Sequence, residues 1–249
     1  MRTYQIYPSL LNAWQGYVDS DADYERYWGG SETPPQTPEE YRAERRQALI
    51  DHINRRPFES EAADRGTALN FLTDRLTGHE AGSVIRDWTD EDGARLGWRV
   101  AYNGRDFMFP ETLGRALAAR FQGCMAQVFV DGEMELGGSR VRLYGYADYV
   151  GRLMAYDLKT TTRYERGKYA SGWQHIVYPW CMHRMGCMLE RFEYTVAVMG
   201  KSQWDIYTEE YLFRDGSEEE ARLRETLRDF TGFLDANRQE ITDTKIYGD

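Results

Sequence analysis

The chain of 249 residues has little that would cross-link it, export it or hold it in a membrane. Its sequence has no apolar run near the length of about 18 residues that a membrane span needs, so we expect no membrane partner. The start, MRTYQIYPSLLNAW, has one basic residue and no long apolar stretch, which predicts no secretory signal. The three cysteines are therefore expected to be free thiols in a reducing, cytoplasmic compartment. With 41% apolar residues, the chain can form a hydrophobic core of its own.

Basic residues are also scarce: Lys and Arg number 31 against 41 acids, and only four of them are lysines. The net charge of −10 disfavours a protein that binds nucleic acid through overall charge alone. One segment departs from this balance. Residues 139–184 hold eight Lys or Arg against three acids, a net charge of +5, which leaves −15 on the remainder. The segment is a candidate for contact with an anionic partner, and ordinary variation in surface charge is the alternative explanation.

The order of predicted elements defines the fold class. Predicted helices begin after Ser9 and at the Thr37–Glu40 capping box, and others cover 61–76, 111–121, 171–185 and the segment after Ser217. Predicted strands cover 125–136, 141–150, 153–159, 192–199 and 204–213, with hairpin signals at Gly137-Gly138 and Asn103-Gly104. This order predicts an α/β fold with an N-terminal helical portion over residues 1–60 and a sheet-containing core with a C-terminal helix over 61–249.

Two carboxylates and a lysine are predicted to meet within residues 145–160, GYADYVGRLMAYDLKT. Asp157 and Lys159 are two residues apart, so on a strand their side chains share a face. Asp148 lies on the preceding strand, and a short hairpin loop puts it opposite Asp157, with β-carbons about 4.5–5.5 Å apart. An acid-x-Lys triplet alone is weak evidence, because surface Asp–Lys pairs are common. The acid on the neighbouring strand makes the pattern more specific.

Two carboxylates this close repel each other unless a cation lies between them. Oxygen ligands without nearby His or Cys favour Mg²⁺ or Mn²⁺ over zinc. A cation held by few protein ligands keeps positions for water and a substrate phosphate, and it lowers the pKa of its bound water. An amine at Lys159 can orient that water and stabilise charge that develops on the phosphoryl oxygens. These groups are what phosphodiester hydrolysis requires.

The residues that follow add two further groups of candidates. Gln174 and Tyr178 are four residues apart on a predicted helix and therefore share a face, although that spacing alone is more typical of an amphipathic surface. Arg163, Arg166 and Lys168 lie between the strand and this helix. We expect these three basic residues to bind the DNA backbone.

In this order, the motifs resemble those of the PD-(D/E)xK nucleases, in particular the RecB-like and phage-exonuclease branch. That branch shows G-x-x-D, then a strand ending in D/E-x-K, then a helix with Q-x-x-x-Y. This chain has Gly145–Asp148, Asp157–Lys159 and Gln174–Tyr178 in the same order. The resemblance implies a restriction-endonuclease-like mixed sheet flanked by helices. It also implies Asp148, Asp157 and the Leu158 carbonyl as metal ligands, Lys159 as the catalytic lysine, and Gln174 and Tyr178 as residues that support the site or the DNA backbone.

The chain departs from the branch on an upstream helix. The branch carries G-x-x-x-H there, with a His that binds the metal, and the matching stretch here runs from Gly66 to Asn70. The resemblance therefore implies Asn70 as a ligand. An amide oxygen binds Mg²⁺ less strongly than a charged group does. An alternative interpretation is therefore that Asn70 marks a site that has lost its activity. Some relatives hold an iron–sulfur cluster on four cysteines, and three cysteines in total predict none here.

The sequence therefore favours a Mg²⁺- or Mn²⁺-dependent deoxyribonuclease. An exonuclease of the phage or recombination type, acting on linear DNA ends, is the leading hypothesis, and a recombination or annealing protein would be a further partner. Two alternatives stay open. One is a DNA-binding or assembly subunit whose site has decayed at Asn70. The other is a restriction-type endonuclease, which would cut closed circular DNA.

Overall fold

The structure is a computed structural model that describes residues 2–80, 82–200 and 203–248. Its helices are α1 (Pro8–Val18), α2 (Ser20–Trp28), α3 (Pro38–Ile53), α4 (Glu61–Leu76), α5 (Glu111–Phe121), α6 (Gln174–Arg184) and α7 (Glu218–Ala236). Its strands are β1 (Arg2–Ile6), β2 (Val84–Thr89), β3 (Arg95–Tyr102), β4 (Arg105–Pro110), β5 (Met125–Leu136), β6 (Ser139–Val150), β7 (Met154–Thr161), β8 (Arg191–Met199) and β9 (Trp204–Leu212). The bounds predicted for α4, α5 and β5 agree residue for residue.

The main sheet is mixed. Its order is β1-β6-β7-β8-β9, and β5 pairs with β6. β1 runs parallel to β6 and β7 runs parallel to β8, whereas β5–β6, β6–β7 and β8–β9 are antiparallel. A smaller antiparallel sheet has the order β2-β3-β4. The prediction of an α/β fold with a mixed sheet flanked by helices is confirmed. The hairpin signal at Asn103-Gly104 corresponds to the turn between β3 and β4 of the smaller sheet, whereas its strand β2 was not predicted.

Two apolar cores lie on opposite faces of the main sheet. The first contains side chains of α1, α6 and α7, such as Leu10, Trp180 and Leu223. The second contains side chains of α4, α5 and the smaller sheet. Ala155 and Leu158, three residues apart on β7, belong to the first and the second core respectively. No helix within the described ranges is long and apolar enough to cross a membrane.

The N-terminal segment is not wholly helical, because it begins with a strand that the sequence analysis missed. β1 pairs with residues 139–143 of β6, and its Tyr4 and Ile6 are buried in the first core. α3 begins at the predicted capping box, in which Thr37 and Glu40 exchange hydrogen bonds between side chain and backbone. Residues 1–60 therefore add a strand to the sheet as well as helices that cover it.

The smaller sheet depends on a close backbone approach at Gly97 in β3. A β-carbon there would lie 2.0 Å from the carbonyl oxygen of Phe109 in β4. We therefore expect Gly97→Ala to force the two strands apart and to lower the free energy of unfolding by about 1–3 kcal/mol. The matched control is Gly16→Ala in α1, where an added β-carbon has no atom within 4 Å. It should raise the free energy of unfolding by about 0.5–1 kcal/mol, because Ala favours helix. Urea unfolding measures both, and a Gly97→Ala protein as stable as the parent would contradict this packing.

Candidate metal centre

β6 changes its partner along one of its edges. β1 pairs with residues 139–143, and β7 pairs with Tyr149 and Val150. Between these pairings, residues 144–148 face no paired strand on that edge in the described part of the chain. β7 continues beyond its short pairing with β6 by running alongside β8 through Thr161. The sheet therefore opens at Asp148, where β6 and β7 separate.

The carboxylate of Asp148 bridges this opening. Its Oδ2 accepts a hydrogen bond of 2.9 Å from the backbone N–H of Leu158, so a side chain replaces a main-chain acceptor. Extending the β6–β7 register by one pair puts Asp148 opposite Asp157, as the hairpin geometry predicts. The backbone of Leu158 thus lies between the two other predicted groups, Asp157 and Lys159. The side chain of Leu158 packs in the second core.

Asp157 is buried, with 3% of its surface exposed. Its Oδ1 accepts a hydrogen bond from Nε2 of Gln174. Its Oδ2 lies 2.6 Å from Nζ of Lys159, which makes an ion pair. Oδ2 receives no hydrogen bond from any other described residue. One oxygen is thus held by a hydrogen bond and the other is balanced by charge alone.

The charge of Asp157 opposes the ionisation of Asp148. Burial raises the pKa of Asp148, and the charge of Asp157 raises it further, to about 7. The charge of Lys159 and the N–H of Leu158 act in the opposite direction and do not outweigh these two causes. In the bare protein, the site therefore binds a proton near neutral pH. A divalent cation at the same place would compensate both negative charges.

Helix α4 packs closely against β7 at Gly66. A β-carbon on Gly66 would lie 3.2 Å from Oγ1 of Thr160, so this residue permits the short approach. Asn70 lies about one turn further along the same face of the helix. Its Oδ1 is buried and receives no hydrogen bond from the residues that the structure describes. A buried amide oxygen without a donor fits the role of a cation ligand that the sequence analysis gave to Asn70.

A further acid of the site, Asp74 on the same helix, was not predicted from the sequence. The hydroxyl of Tyr149 donates a hydrogen bond of 2.6 Å to its Oδ1. Burial raises the pKa of Asp74, and the charge of Asp74 in turn contributes to the raised pKa of Asp148. The spacing of Gly66, Asn70 and Asp74, four residues apart in each step, is the signal that could have identified it.

Helix α6 supports the site through its first turns. Gln174 is partly exposed and fixes Asp157, whereas Tyr178 is buried. A β-carbon on Gly145 would lie 2.7 Å from the ring of Tyr178, so the glycine of the first motif leaves space for the tyrosine of the third. Burial raises the pKa of Tyr178, and the charges of Asp157 and Asp148 raise it further. Tyr178 therefore keeps its proton and packs under the site.

The basic segment 139–184 is less basic as a surface than its sequence indicates. Three of its arginines form ion pairs: Arg140 with Glu133 and Glu135, Arg142 with Asp131, and Arg184 with Asp215 and Glu220. In the loop after β7, Arg163 and Arg166 are exposed and have no ion-pair partner within the described ranges. Lys168 is exposed too, but its Nζ donates to Oγ1 of Thr161 at 2.7 Å and to the carbonyl of Arg163 at 2.9 Å. It therefore stabilises the loop.

The described residues contain no group of three or more His, Cys, Asp or Glu side chains that could hold a metal ion. The candidate ligands here are two carboxylates, a backbone carbonyl and an amide. No protein-family model matches the chain, and no curated protein matches it. One solved structure similar to it is titled "Crystal structure of SSO0001", with a TM-score of 0.40 and 13% identity over 94% of this chain and 78% of that one. A similarity at this level carries no argument about function.

The raised pKa of Asp148 predicts how pH changes the stability of the metal-free protein. The folded-state pKa of about 7 lies above the ordinary aspartate value of 3.8, so the ionised group destabilises the fold progressively between these two pH values. Asp148→Asn removes the charge and keeps an oxygen for the N–H of Leu158. We expect its free energy of unfolding in EDTA to exceed that of the parent, by a margin that grows from pH 4 to pH 8.

Urea unfolding at several pH values measures this margin. Asp229→Asn, which changes an exposed acid on α7, is the matched control and should show little change with pH. A margin for Asp148→Asn that stays constant from pH 4 to pH 8 would contradict the electrostatic account of the site.

The contact of Gly145 with Tyr178 predicts an energetic coupling between two motifs. Gly145→Ala should lower the free energy of unfolding by about 1–3 kcal/mol, because its β-carbon overlaps the tyrosine ring. In a protein that also carries Tyr178→Leu, the same change should cost much less, because the ring is gone. A double-mutant cycle by urea unfolding measures the difference, and additive effects would show that the two residues do not share this contact.

Proposed function

We propose that this chain is a divalent-cation-dependent deoxyribonuclease, with an exonuclease on linear DNA ends as the favoured form. The observation that carries the proposal is the meeting of Asp148, Asp157 and Lys159 where β6 and β7 separate. Two buried oxygens receive no hydrogen bond within the described chain: Oδ2 of Asp157 on β7 and Oδ1 of Asn70 on α4. Among the described residues, Oδ2 of Asp157 is contacted by the Lys159 ammonium alone, and Oδ1 of Asn70 has no donor, so both oxygens are suited to a hard cation such as Mg²⁺ or Mn²⁺. The resemblance to the PD-(D/E)xK nucleases supports the same assignment.

Asp148, Asp157, the Leu158 carbonyl and Asn70 would hold the cation. When bound, a cation of this kind polarises a phosphoryl oxygen and makes a water more acidic. Gln174 fixes one oxygen of Asp157 by a hydrogen bond, which leaves the other oxygen to the ammonium group of Lys159. Asp148 is fixed in the same way through the N–H of Leu158. Both carboxylates are thus positioned by contacts that do not depend on the metal.

Lys159 has two roles in this proposal. In the metal-free protein its ammonium group neutralises Asp157 at 2.6 Å. On a phosphodiester substrate, the same group donates hydrogen bonds to the attacking water and to the oxygens on which negative charge grows. Its side chain is 27% exposed, so a phosphate in the opening can reach it. Arg163 and Arg166, exposed on the loop after β7, contact the DNA backbone and carry no sequence preference.

Removal of the lysine should separate cleavage from metal binding. We expect Lys159→Met to fold normally and to cleave end-labelled linear DNA in Mg²⁺ at least about a hundredfold more slowly, because a donor to the transition state is lost. Its stabilisation by Mn²⁺ should persist, because Asp157 no longer has a competing cation. Thermal unfolding with and without Mn²⁺ measures the second effect. Lys245→Met, at an exposed position outside the site, is the control, and unchanged cleavage in Lys159→Met would refute the mechanism.

The same assay separates the proposed exonuclease from its alternatives. An enzyme that starts at DNA ends degrades linear DNA in Mg²⁺ and leaves closed circular DNA intact, whereas cutting of the circle would favour the restriction-type endonuclease. The presence of Asn70 in place of a charged or imidazole ligand favours the DNA-binding subunit as the second candidate. If the chain is such a subunit, Mn²⁺ should not stabilise the parent protein more than it stabilises Asp148→Ala. Neither DNA substrate should then be cleaved.

A further inference from the structure

A cleft of about 350 Å³ lies over the unpaired edge of β6, next to the proposed metal centre. Its walls include Tyr7 and Ser9, which follow β1, and Tyr144 and Tyr146 of β6. It occupies the gap between the end of β1 and the start of the β6–β7 pairing, where residues 144–148 of β6 have no strand partner on this edge in the described chain. Its volume is at the lower end of the range for small-molecule pockets, about 300–1,000 Å³.

The cleft and the metal centre share a wall. Gln174 and Tyr178 both line the cleft, and Nε2 of Gln174 also donates to the buried carboxylate of Asp157. A ligand in the cleft therefore lies one side chain away from the acid that would hold the cation. If a phosphodiester of a DNA strand occupied the metal centre, the neighbouring nucleotide of that DNA strand would lie next to the cleft.

Four tyrosines line the cleft: Tyr7, Tyr144, Tyr146 and Tyr178. Tyr7 and Tyr144 meet edge to face with ring centroids 5.7 Å apart. Tyr146 is 56% exposed and packs only partly, against Phe129 with ring centroids 5.3 Å apart. An exposed tyrosine ring beside a cleft is a surface on which a planar ligand stacks. Such stacking accepts any nucleobase, because every base has a π-face.

The charge of the cleft argues for a neutral ligand. Its one basic side chain among the described lining residues, Arg55, has its Nε 2.6 Å from Oδ2 of Asp243. The same guanidinium donates through Nη2 to the hydroxyl of Tyr144 at 3.1 Å. The arginine is thus already neutralised and hydrogen-bonded, so it offers little to a phosphate. An aromatic cleft without a free cation suits a base better than an anion.

We propose that this cleft binds an unpaired nucleobase of the DNA strand that is being cleaved, stacked on Tyr146 and bounded by Tyr7 and Tyr144. The proposal rests on the proposed function and adds a substrate requirement to it. The favoured substrate has unpaired nucleotides next to the phosphodiester that is cut. Fully paired ends would have to open before the base could enter the cleft, which costs unstacking energy.

The test measures binding and cleavage separately. Fluorescence anisotropy in EDTA compares a duplex that has unpaired nucleotides at one end with the same duplex carrying abasic sites at those positions. We expect the parent protein to bind the first about tenfold more tightly, from the stacking of one base on an aromatic ring. Tyr146→Ala should lose this preference, and Tyr146→Phe should keep it, because the ring remains. Tyr27→Ala is the matched control, since Tyr27 in α2 is 61% exposed and lies outside the cleft.

Each outcome has a defined meaning. Equal binding of the two duplexes by the parent protein, or a full preference in Tyr146→Ala, would overturn the cleft proposal. The cleft proposal would also be overturned if removal of a terminal phosphate lowered the affinity and removal of the base did not. Cleavage of the same duplexes in Mg²⁺ is measured in parallel. Cleavage without base preference would leave the nuclease proposal standing, and base preference without cleavage would leave the cleft standing. The absence of both binding and cleavage would overturn both proposals.

Discussion

The hydrogen bond from the N–H of Leu158 to Oδ2 of Asp148 is the interaction on which the site depends. In a regular antiparallel pair, a backbone carbonyl would accept this N–H and the two strands would continue side by side. A carboxylate in that place satisfies the donor while β7 separates from β6 and runs alongside β8. This side-chain acceptor lies where the sheet opens at the edge of β6, and extending the β6–β7 register by one pair puts Asp157 opposite Asp148 at the same point.

The site keeps an unfavourable arrangement of charge that a regular sheet would avoid. A buried carboxylate with one oxygen lacking a donor, beside a second carboxylate of raised pKa, lowers the stability of the fold. Each acid is nevertheless fixed by a specific donor, Gln174 in one case and Leu158 in the other. Side chains that are held in place at an energetic cost are expected where a ligand later supplies the missing interaction. The lysine supplies part of that interaction by charge alone.

Local signals predicted much of the fold. The bounds of α4 and α5 follow from helix periodicity and end signals, and the hairpin of β6 and β7 follows from its short loop. Strand β1 is only five residues long, and what makes it a strand is the edge of β6, more than a hundred residues away. The contact of Asp74 with Tyr149 joins residues 75 positions apart. Contacts over such distances leave no local pattern, so the pairing of β1 and the partner of Asp74 are visible only in the packed structure, although the spacing of Asp74 from Asn70 marks their common helix face. The meeting of Asp148 with Asp157 was predictable because ten residues of hairpin determine it.

Charge counting was the least reliable guide, because ion pairs form across elements that the sequence does not place together. Arg140, Arg142 and Arg184 are paired with acids of β5, of the segment before α7 and of α7 itself. Few cations of this segment then remain to contact phosphates. Each such contact adds about 0.9 to the slope with which the logarithm of the DNA-binding constant falls as the logarithm of the salt concentration rises. The proposed DNA-binding surface would therefore gain only part of its affinity from counterion release. The proposed cation site and the proposed base-binding cleft, which share Gln174 at the open edge of β6, are the two features that would supply the rest.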